Sequence, residues 1–195
     1  MKQRNAIPRN ALPTAEPCPY QARRINVVGT SGAGKTTTAQ QIARRLGLQH
    51  VELDALHWDP NWTEAPLEVF RQRIAQALAG DAWVVDGNYT KARDLIWSRV
   101  ELVVWLDYSL PVIIRQLVWR TLRRTLTREE LWSGNRERFR ESFFSRDSVL
   151  WWALTTYQSR RAKYQAIFAR SQDHGFAMVR LLSPRATREW LVGLG

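Results

Sequence analysis

The sequence predicts an α/β fold built on a parallel sheet, and three observations carry that prediction. Short apolar runs alternate with segments of helical spacing along most of the chain. The runs are close to continuously apolar, as expected for strands covered on both faces. The first run is followed at once by a glycine-rich turn that opens a helix. Strand and helix in alternation imply right-handed crossovers between parallel strands.

The elements follow in order. "RINVV" (24–28) reads as a short buried strand ending at Gly29. Residues 35–46 carry Ala39, Ile42, Ala43 and Leu46 at helical spacing, and Gly47 stops that helix. "HVEL" (50–53) is the second strand, and "DALHWDPNWTEA" reads as a polar, aromatic loop. Pro66 opens a helix with Phe70, Ile74, Ala77 and Leu78 on one face, broken by Gly80 and Asp81. "AWVVD" (82–86) and "ELVVWLD" (101–107) are strands, with a short helix or turn at 91–99 between them. Pro111 opens a helix to about Thr125, and residues 127–147 are polar, arginine-rich and interrupted by Ser133, Gly134 and Asn135. A helix over 148–170, a strand "FAMVRLL" (176–182) and a helix opened by Pro184 complete the chain.

Composition narrows the classes. With 195 residues, 45% of them hydrophobic, one well-packed domain is expected and wholesale disorder is not. Cys18 is the sole cysteine, which excludes an intrachain disulfide or a cysteine-rich zinc site and fits a cytoplasmic protein. Residues 1–23 hold four prolines and no apolar run, and read as a flexible basic tail or the product of a misassigned start site; the domain spans 24–195. No stretch approaches the ~18 consecutive apolar residues of a membrane span.

The net charge of +11 is uneven. Residues 111–170 contribute +8, from thirteen basic and five acidic residues, whereas 25–110 contribute −2. Arginine dominates the basic block, and its planar fork suits bidentate contact with phosphate. Such a block serves a nucleotide, a nucleic acid, or simply solvation of a helix surface.

Gly29, Thr30, Ser31, Gly32, Ala33, Gly34, Lys35 and Thr36 match G-x-x-x-x-G-K-[ST] in full, with Thr37 next in the helix. The glycines allow backbone N–H groups to turn toward phosphate oxygens. The helix start adds unpaired donors and a positive dipole end. Lys35 supplies charge for the β and γ phosphates, and the Thr36 hydroxyl suits Mg²⁺, a cation that takes oxygen ligands. These residues are expected to bind ATP or GTP.

The motifs around this loop extend the reading. "ELDALHW" follows the second strand, "WVVDGNY" lies at the third, "VVWLD" at the fourth, and an arginine-rich helix and insert come next. In that combination the chain, over about residues 24–192, resembles the P-loop kinases related to adenylate kinase, the nucleoside-monophosphate-kinase-like group. Within the group it looks most like proteins labelled "adenylate kinase and related kinases" or "DNA topology modulation protein". The resemblance implies a three-layer P-loop NTPase fold, a five-stranded parallel sheet in the order 2-3-1-4-5, and a lid insert at about 115–147.

That likeness also implies roles. ATP and Mg²⁺ are the expected cofactors, and a small acceptor, a nucleotide or nucleoside among the candidates, is expected across the strand ends. Asp86 stands where related kinases place a metal-side carboxylate, with strand-end capping as the alternative. Asp54 is either a base or positioner for the acceptor hydroxyl, or a helix cap. Trp58 and Trp62 are candidates for stacking the acceptor, or core. Arg120 and Arg124, at i, i+4 on one helix, are the expected lid arginines, with Arg115, Arg123, Arg136, Arg138 and Arg140 as further candidates. Pro184 and Arg185 fall in the loop that packs on adenine in such kinases. The insert lacks adenylate kinase's cysteines and its lid pattern, and the acceptor segment differs from the adenosine-monophosphate pattern. A nucleic-acid-associated ATPase affecting DNA topology and a polynucleotide 5′-kinase are the competing readings. The oligomeric state is not legible.

Overall fold

The computed structural model describes residues 21–127, 131–135, 149–170 and 173–194. Its strands are β1 (Arg24–Gly29), β2 (Gln49–Glu52), β3 (Trp58–Asp59), β4 (Thr63–Glu64), β5 (Trp83–Asp86), β6 (Leu102–Leu106) and β7 (Ala177–Leu181). Its α-helices are α1 (Lys35–Leu46), α2 (Leu53–His57), α3 (Leu67–Ala77), α4 (Arg93–Trp97), α5 (Leu110–Thr127), α6 (Val149–Ala169) and α7 (Pro184–Val192). One five-stranded sheet runs β2-β5-β1-β6-β7, all parallel. Counted among its own strands, that order is 2-3-1-4-5, as the resemblance implies.

Alternation along the strands divides the core into two clusters. Ile25 and Val27 of β1, and Leu102, Val104 and Leu106 of β6, pack with Ile42, Ile113 and Leu117. Val28, Val103 and Trp105 enter the other cluster with Leu53, Phe70, Ile74 and Tyr164. Side chains one residue apart on a strand point to opposite faces, so both faces are apolar and both are covered by helices. Truncating one of the fully buried side chains, such as Leu106, would cost about 3 kcal/mol.

The segment expected to be a loop, 54–65, has structure of its own. Leu53 is fully buried and starts α2, which ends the strand one residue earlier than the apolar run suggests. β3 and β4 then pair antiparallel as a short hairpin. Arg73 of α3 holds it, donating to Leu56 O at 3.0 Å and to Asp59 Oδ1 at 2.9 Å. Two-residue strands carry no readable period, so this hairpin rests on tertiary hydrogen bonds.

Helix α6 is fastened to the sheet by charge. Asp107, just past β6 with a 2% exposed side chain, accepts from Arg161 Nε at 2.9 Å and from Arg180 Nε at 2.9 Å. The Arg180 guanidinium also lies 4.7 Å from the Trp105 ring centroid, a cation–π distance. Residues 1–20 of the expected tail, and Arg136, Arg138 and Arg140 of the expected lid, lie outside the described residues.

Candidate active site

Every strand of the main sheet ends at one edge, and the candidate residues gather there. The turn 30–34 follows β1, with Ala33 N donating to Thr30 O at 3.0 Å. Gly32 sits at φ 86, a backbone conformation that side chains disfavour. A Cβ there would come within 2.4 Å of Leu117 Cγ, so the turn also needs a glycine to let α5 pack against it. Helix α1 begins at Lys35 with no side-chain cap and no acidic residue in its first turn. Its first N–H groups, which have no intrahelical acceptor, remain available to an anion.

Asn88 fixes the start of this turn from across the sheet. Its Oδ1 accepts from Gly29 N at 3.2 Å, its Nδ2 donates to Gly29 O, and Tyr164 OH donates to its Oδ1 at 3.2 Å. Asn88 therefore serves the loop backbone. Gly87, at φ 140, leaves room for Leu53, whose Cδ1 would lie 2.8 Å from a Cβ there.

The Thr36 hydroxyl lies 2.6 Å from Asp86 Oδ2 and 3.1 Å from Glu52 Oε1. The other Asp86 oxygen is 3.3 Å from His50 Nε2. Burial raises the pKa of Glu52, with Asp86 and Asp54 adding to the rise and Trp132 and the Thr36 hydroxyl opposing it. Among the described residues no group of three or more His, Cys, Asp or Glu is arranged to hold a metal by itself. That suits Mg²⁺, which keeps waters and is usually held by one or two carboxylates together with substrate phosphates. The all-oxygen set of Thr36, Asp86 and Glu52 fits such a cation.

Lys35 is the centre of charge. Burial lowers its pKa; Asp54 and Asp86 push it back up, and Arg160 and Arg120 push it down. Its ammonium reaches back toward Thr30 O at 3.5 Å. The like charges of Lys35, Arg120 and Arg160 repel, and an anion among them would relieve the repulsion. Asp54, second residue of α2, accepts from Tyr89 OH at 2.6 Å. Burial raises the Tyr89 pKa well above the usual range, with Asp54 adding to the rise, so the phenol stays protonated and donates. Asp54 is not a helix cap, because Glu52 occupies the N-cap position of α2.

Several of the sequence-predicted residues thus converge: the 29–37 loop, Lys35, Thr36, Asp54, Asp86 and Arg120. Arg124, one turn beyond Arg120, is not among the charges that act most strongly on Lys35. Arg185 pairs with Glu189 at 2.7 Å, and Ser183 Oγ accepts from Ala186 N at 3.1 Å with Pro184 in the first turn, so this stretch is a well-capped helix start. Trp58 and Trp62 are half-buried and joined edge to face, in a chain of rings from His57 to Trp132. Sequence reasoning missed Glu52, Tyr89 as the partner of Asp54, and Arg160. The first was within reach, since Glu52 and Asp54 form an acidic pair flanking Leu53 at a strand end.

Comparisons with known proteins agree with this picture. No family model matches the chain. It is 29% identical to a shikimate kinase of Synechococcus elongatus over 138 residues, 60% of this chain and 72% of that one. The solved shikimate kinase of Bacteroides thetaiotaomicron superposes with a TM-score of 0.53 at 14% identity, over 89% of this chain and 96% of the other. A gluconokinase of Sinorhizobium meliloti 1021 gives a TM-score of 0.49 at 22% identity, over 87% and 90%. The fold is that of the P-loop kinases. Kinases of the shikimate kinase type use ATP with Mg²⁺. Among the described residues no helix is long and apolar enough to cross a membrane.

Proposed function

We propose that this protein transfers the γ-phosphoryl group of ATP, with Mg²⁺, to a hydroxyl of a small-molecule acceptor. The observation that carries this reading is the site at one sheet edge, where the phosphate loop places the Thr36 hydroxyl within 3.1 Å of both Asp86 and Glu52 and Lys35 in the field of Asp54, Asp86, Arg120 and Arg160. The similarity to shikimate kinase supports a small hydroxylated acid as the acceptor class, in preference to the nucleotide or nucleoside that the sequence had brought forward.

Residues 29–37 hold the triphosphate through backbone N–H groups and Lys35. Thr36 and Asp86, with Glu52, would hold the Mg²⁺, which would neutralise charge on the β and γ phosphates. Tyr89 orients Asp54, and Asp54 either directs the acceptor hydroxyl for in-line attack or takes its proton. The new bond joins the acceptor oxygen to the γ-phosphorus; the bond from that phosphorus to the β,γ-bridging oxygen breaks, and ADP leaves with the electron pair. Arg120 and Arg160 stabilise charge on the group in transit, with Arg124 one turn further from it. The loop after β7, with Pro184 and Arg185, lies at the same sheet edge as the phosphate loop, which supports contact with adenine.

The competing nucleic-acid reading draws on Arg115 and Arg123, both exposed on α5. Steady-state kinetics of the Arg120→Ala/Arg160→Ala double variant, beside a salt titration of DNA binding on the same preparation, separates the two. The kinase reading expects kcat to fall far more than ATP affinity, because the lost contacts belong to the transition state. Unchanged kcat in that variant, with a shallower salt dependence of DNA binding in Arg115→Ala/Arg123→Ala, would overturn it.

A further inference from the structure

A cleft opens between α4 and α6, beside the Asp54–Tyr89 pair. It is lined by Asn26 of β1, Asn88 and Tyr89 of the turn after β5, Arg93 and Trp97 of α4, and Tyr164 of α6, and it holds about 180 Å³ counted to its open mouth. Hydrogen bonds fix its wall. Trp97 Nε1 donates to Asn26 Oδ1 at 3.1 Å, Asn26 Nδ2 donates to Val85 O at 3.1 Å, and Tyr164 OH donates to Asn88 Oδ1 at 3.2 Å. Tyr89 joins the cleft to the candidate reacting centre, since its ring lines the cleft and its hydroxyl lies 2.6 Å from Asp54 Oδ1.

Arg93 is the cation of this wall, and no carboxylate of the chain answers it. Its guanidinium carbon lies 4.6 Å from the Trp97 ring centroid and 5.8 Å from that of Tyr164. The carboxylate next to it in sequence, Asp94, is taken by Arg71, which donates to both of its oxygens at 2.8 and 2.6 Å. Among the described residues Arg93 forms no ion pair. Packing on two rings holds the guanidinium in place through its face and leaves N–H groups along its edge for a planar anion. The mouth of the cleft is short of negative charge as well: Lys163, exposed beside Tyr164, has its pKa lowered by desolvation and then by Arg93 and Arg160.

We propose that Arg93 recognises the acid group of the acceptor: the edge of its guanidinium binds an acceptor carboxylate in this cleft, while Asp54, on the other side of Tyr89, addresses the acceptor hydroxyl. The inference rests on the reading of a small hydroxylated acid as acceptor and adds the residue that reads the acid. A carboxylate suits the wall better than a phosphate monoester. One planar fork offers two parallel donors, which match the two oxygens of a carboxylate. A phosphate monoester brings up to two negative charges, and Arg93 is the one cation among the described residues lining the cleft. At about 180 Å³ the cleft admits an acid group and the atoms that carry it. That is well below the roughly 300 Å³ at which whole-ligand pockets begin, so the body of the acceptor lies toward Asp54.

The test is calorimetric titration, with Mg²⁺ and a non-hydrolysable ATP analogue present, of two matched pairs: shikimate with methyl shikimate, and gluconate with glucitol. Each pair differs in the acid group. Wild type is expected to bind one of the acids, and to bind its neutral counterpart roughly tenfold to hundredfold more weakly. Arg93→Gln should weaken the acid by that factor and leave the neutral compound where it was, so that the discrimination disappears. Arg93→Lys keeps the charge without the fork and should fall between; if Arg93→Gln fails to fold, the acid-to-neutral ratio of Arg93→Lys carries the test. Equal binding of acid and neutral compound by wild type overturns the inference and leaves the kinase reading standing. So does a ratio unchanged in the folded variant, including an equal loss of both members, which is what a merely structural role would give. Wild type that binds neither shikimate nor gluconate overturns the acid-acceptor reading, and this inference with it.

Discussion

Glu52→Gln is the perturbation that the geometry defines best. The Thr36 hydroxyl is 2.6 Å from Asp86 and 3.1 Å from Glu52, so the two carboxylate oxygens are at most about 5.7 Å apart. At an effective dielectric of about 20, two unit charges at that distance repel by roughly 3 kcal/mol. Glu52 keeps some solvent access, and screening reduces the net gain from neutralising it to about 1 kcal/mol. For a chain of this size that is an increase of about 2–4 °C in Tm, measured in EDTA at neutral pH.

The sign of the pH effect follows from the raised Glu52 pKa. Between the usual glutamate range and the raised one, the folded protein holds a proton that the unfolded chain has released. Stability of the metal-free protein therefore falls as pH climbs through that window, and Gln removes this part of the slope. Mg²⁺ with ATP should stabilise wild type much more than the variant, because the variant has lost a cation-facing oxygen charge. Differential scanning fluorimetry with EDTA, ATP, and ATP with Mg²⁺ measures all three effects. A variant less stable than wild type in EDTA, or one that keeps the full Mg²⁺·ATP increment, would refute the reasoning.

Further expectations concern single residues. Lys35→Ala should lower ATP turnover by a hundredfold or more with an unchanged circular dichroism spectrum; normal turnover would remove the phosphate-loop assignment. Asp86→Asn should raise the Mg²⁺ concentration needed for half-maximal activity, and a titration superposable on wild type would count against its metal role. Asp107→Ala leaves Arg161 and Arg180 without their shared buried anion and should cost about 3 kcal/mol, read as a lower midpoint in urea. An unchanged midpoint would mean that α6 is held by packing alone.

What the sequence revealed and what it hid have a common physical explanation. The 29–37 loop was legible because its chemistry is local: glycines, a lysine and a threonine at fixed spacing between a strand and a helix. The five main strands were legible because both of their faces are apolar. Asp54 and Asp86 could be singled out as strand-end carboxylates. Arg160, by contrast, sits on the far side of the arginine-rich insert, and nothing local to "QSRRAKY" distinguishes it from Arg161. Only the tertiary structure shows Arg161 turned to Asp107 and Arg160 acting on Lys35. The role of Asn88 depends likewise on a contact 59 residues away in sequence. Trp58 and Trp62 were visible as unusual loop residues, but their packing into a chain of rings was not.

The most direct measurement follows γ-labelled ATP incubated with the protein, Mg²⁺ and a panel of acceptors: small hydroxylated acids including shikimate and gluconate, nucleosides and nucleoside monophosphates, and 5′-hydroxyl DNA. The account predicts label moving from ATP into one small hydroxylated acid, with ADP formed in equal amount, and no transfer by Lys35→Ala. Label released only as inorganic phosphate and stimulated by DNA, or transferred to the DNA 5′ end, would contradict it.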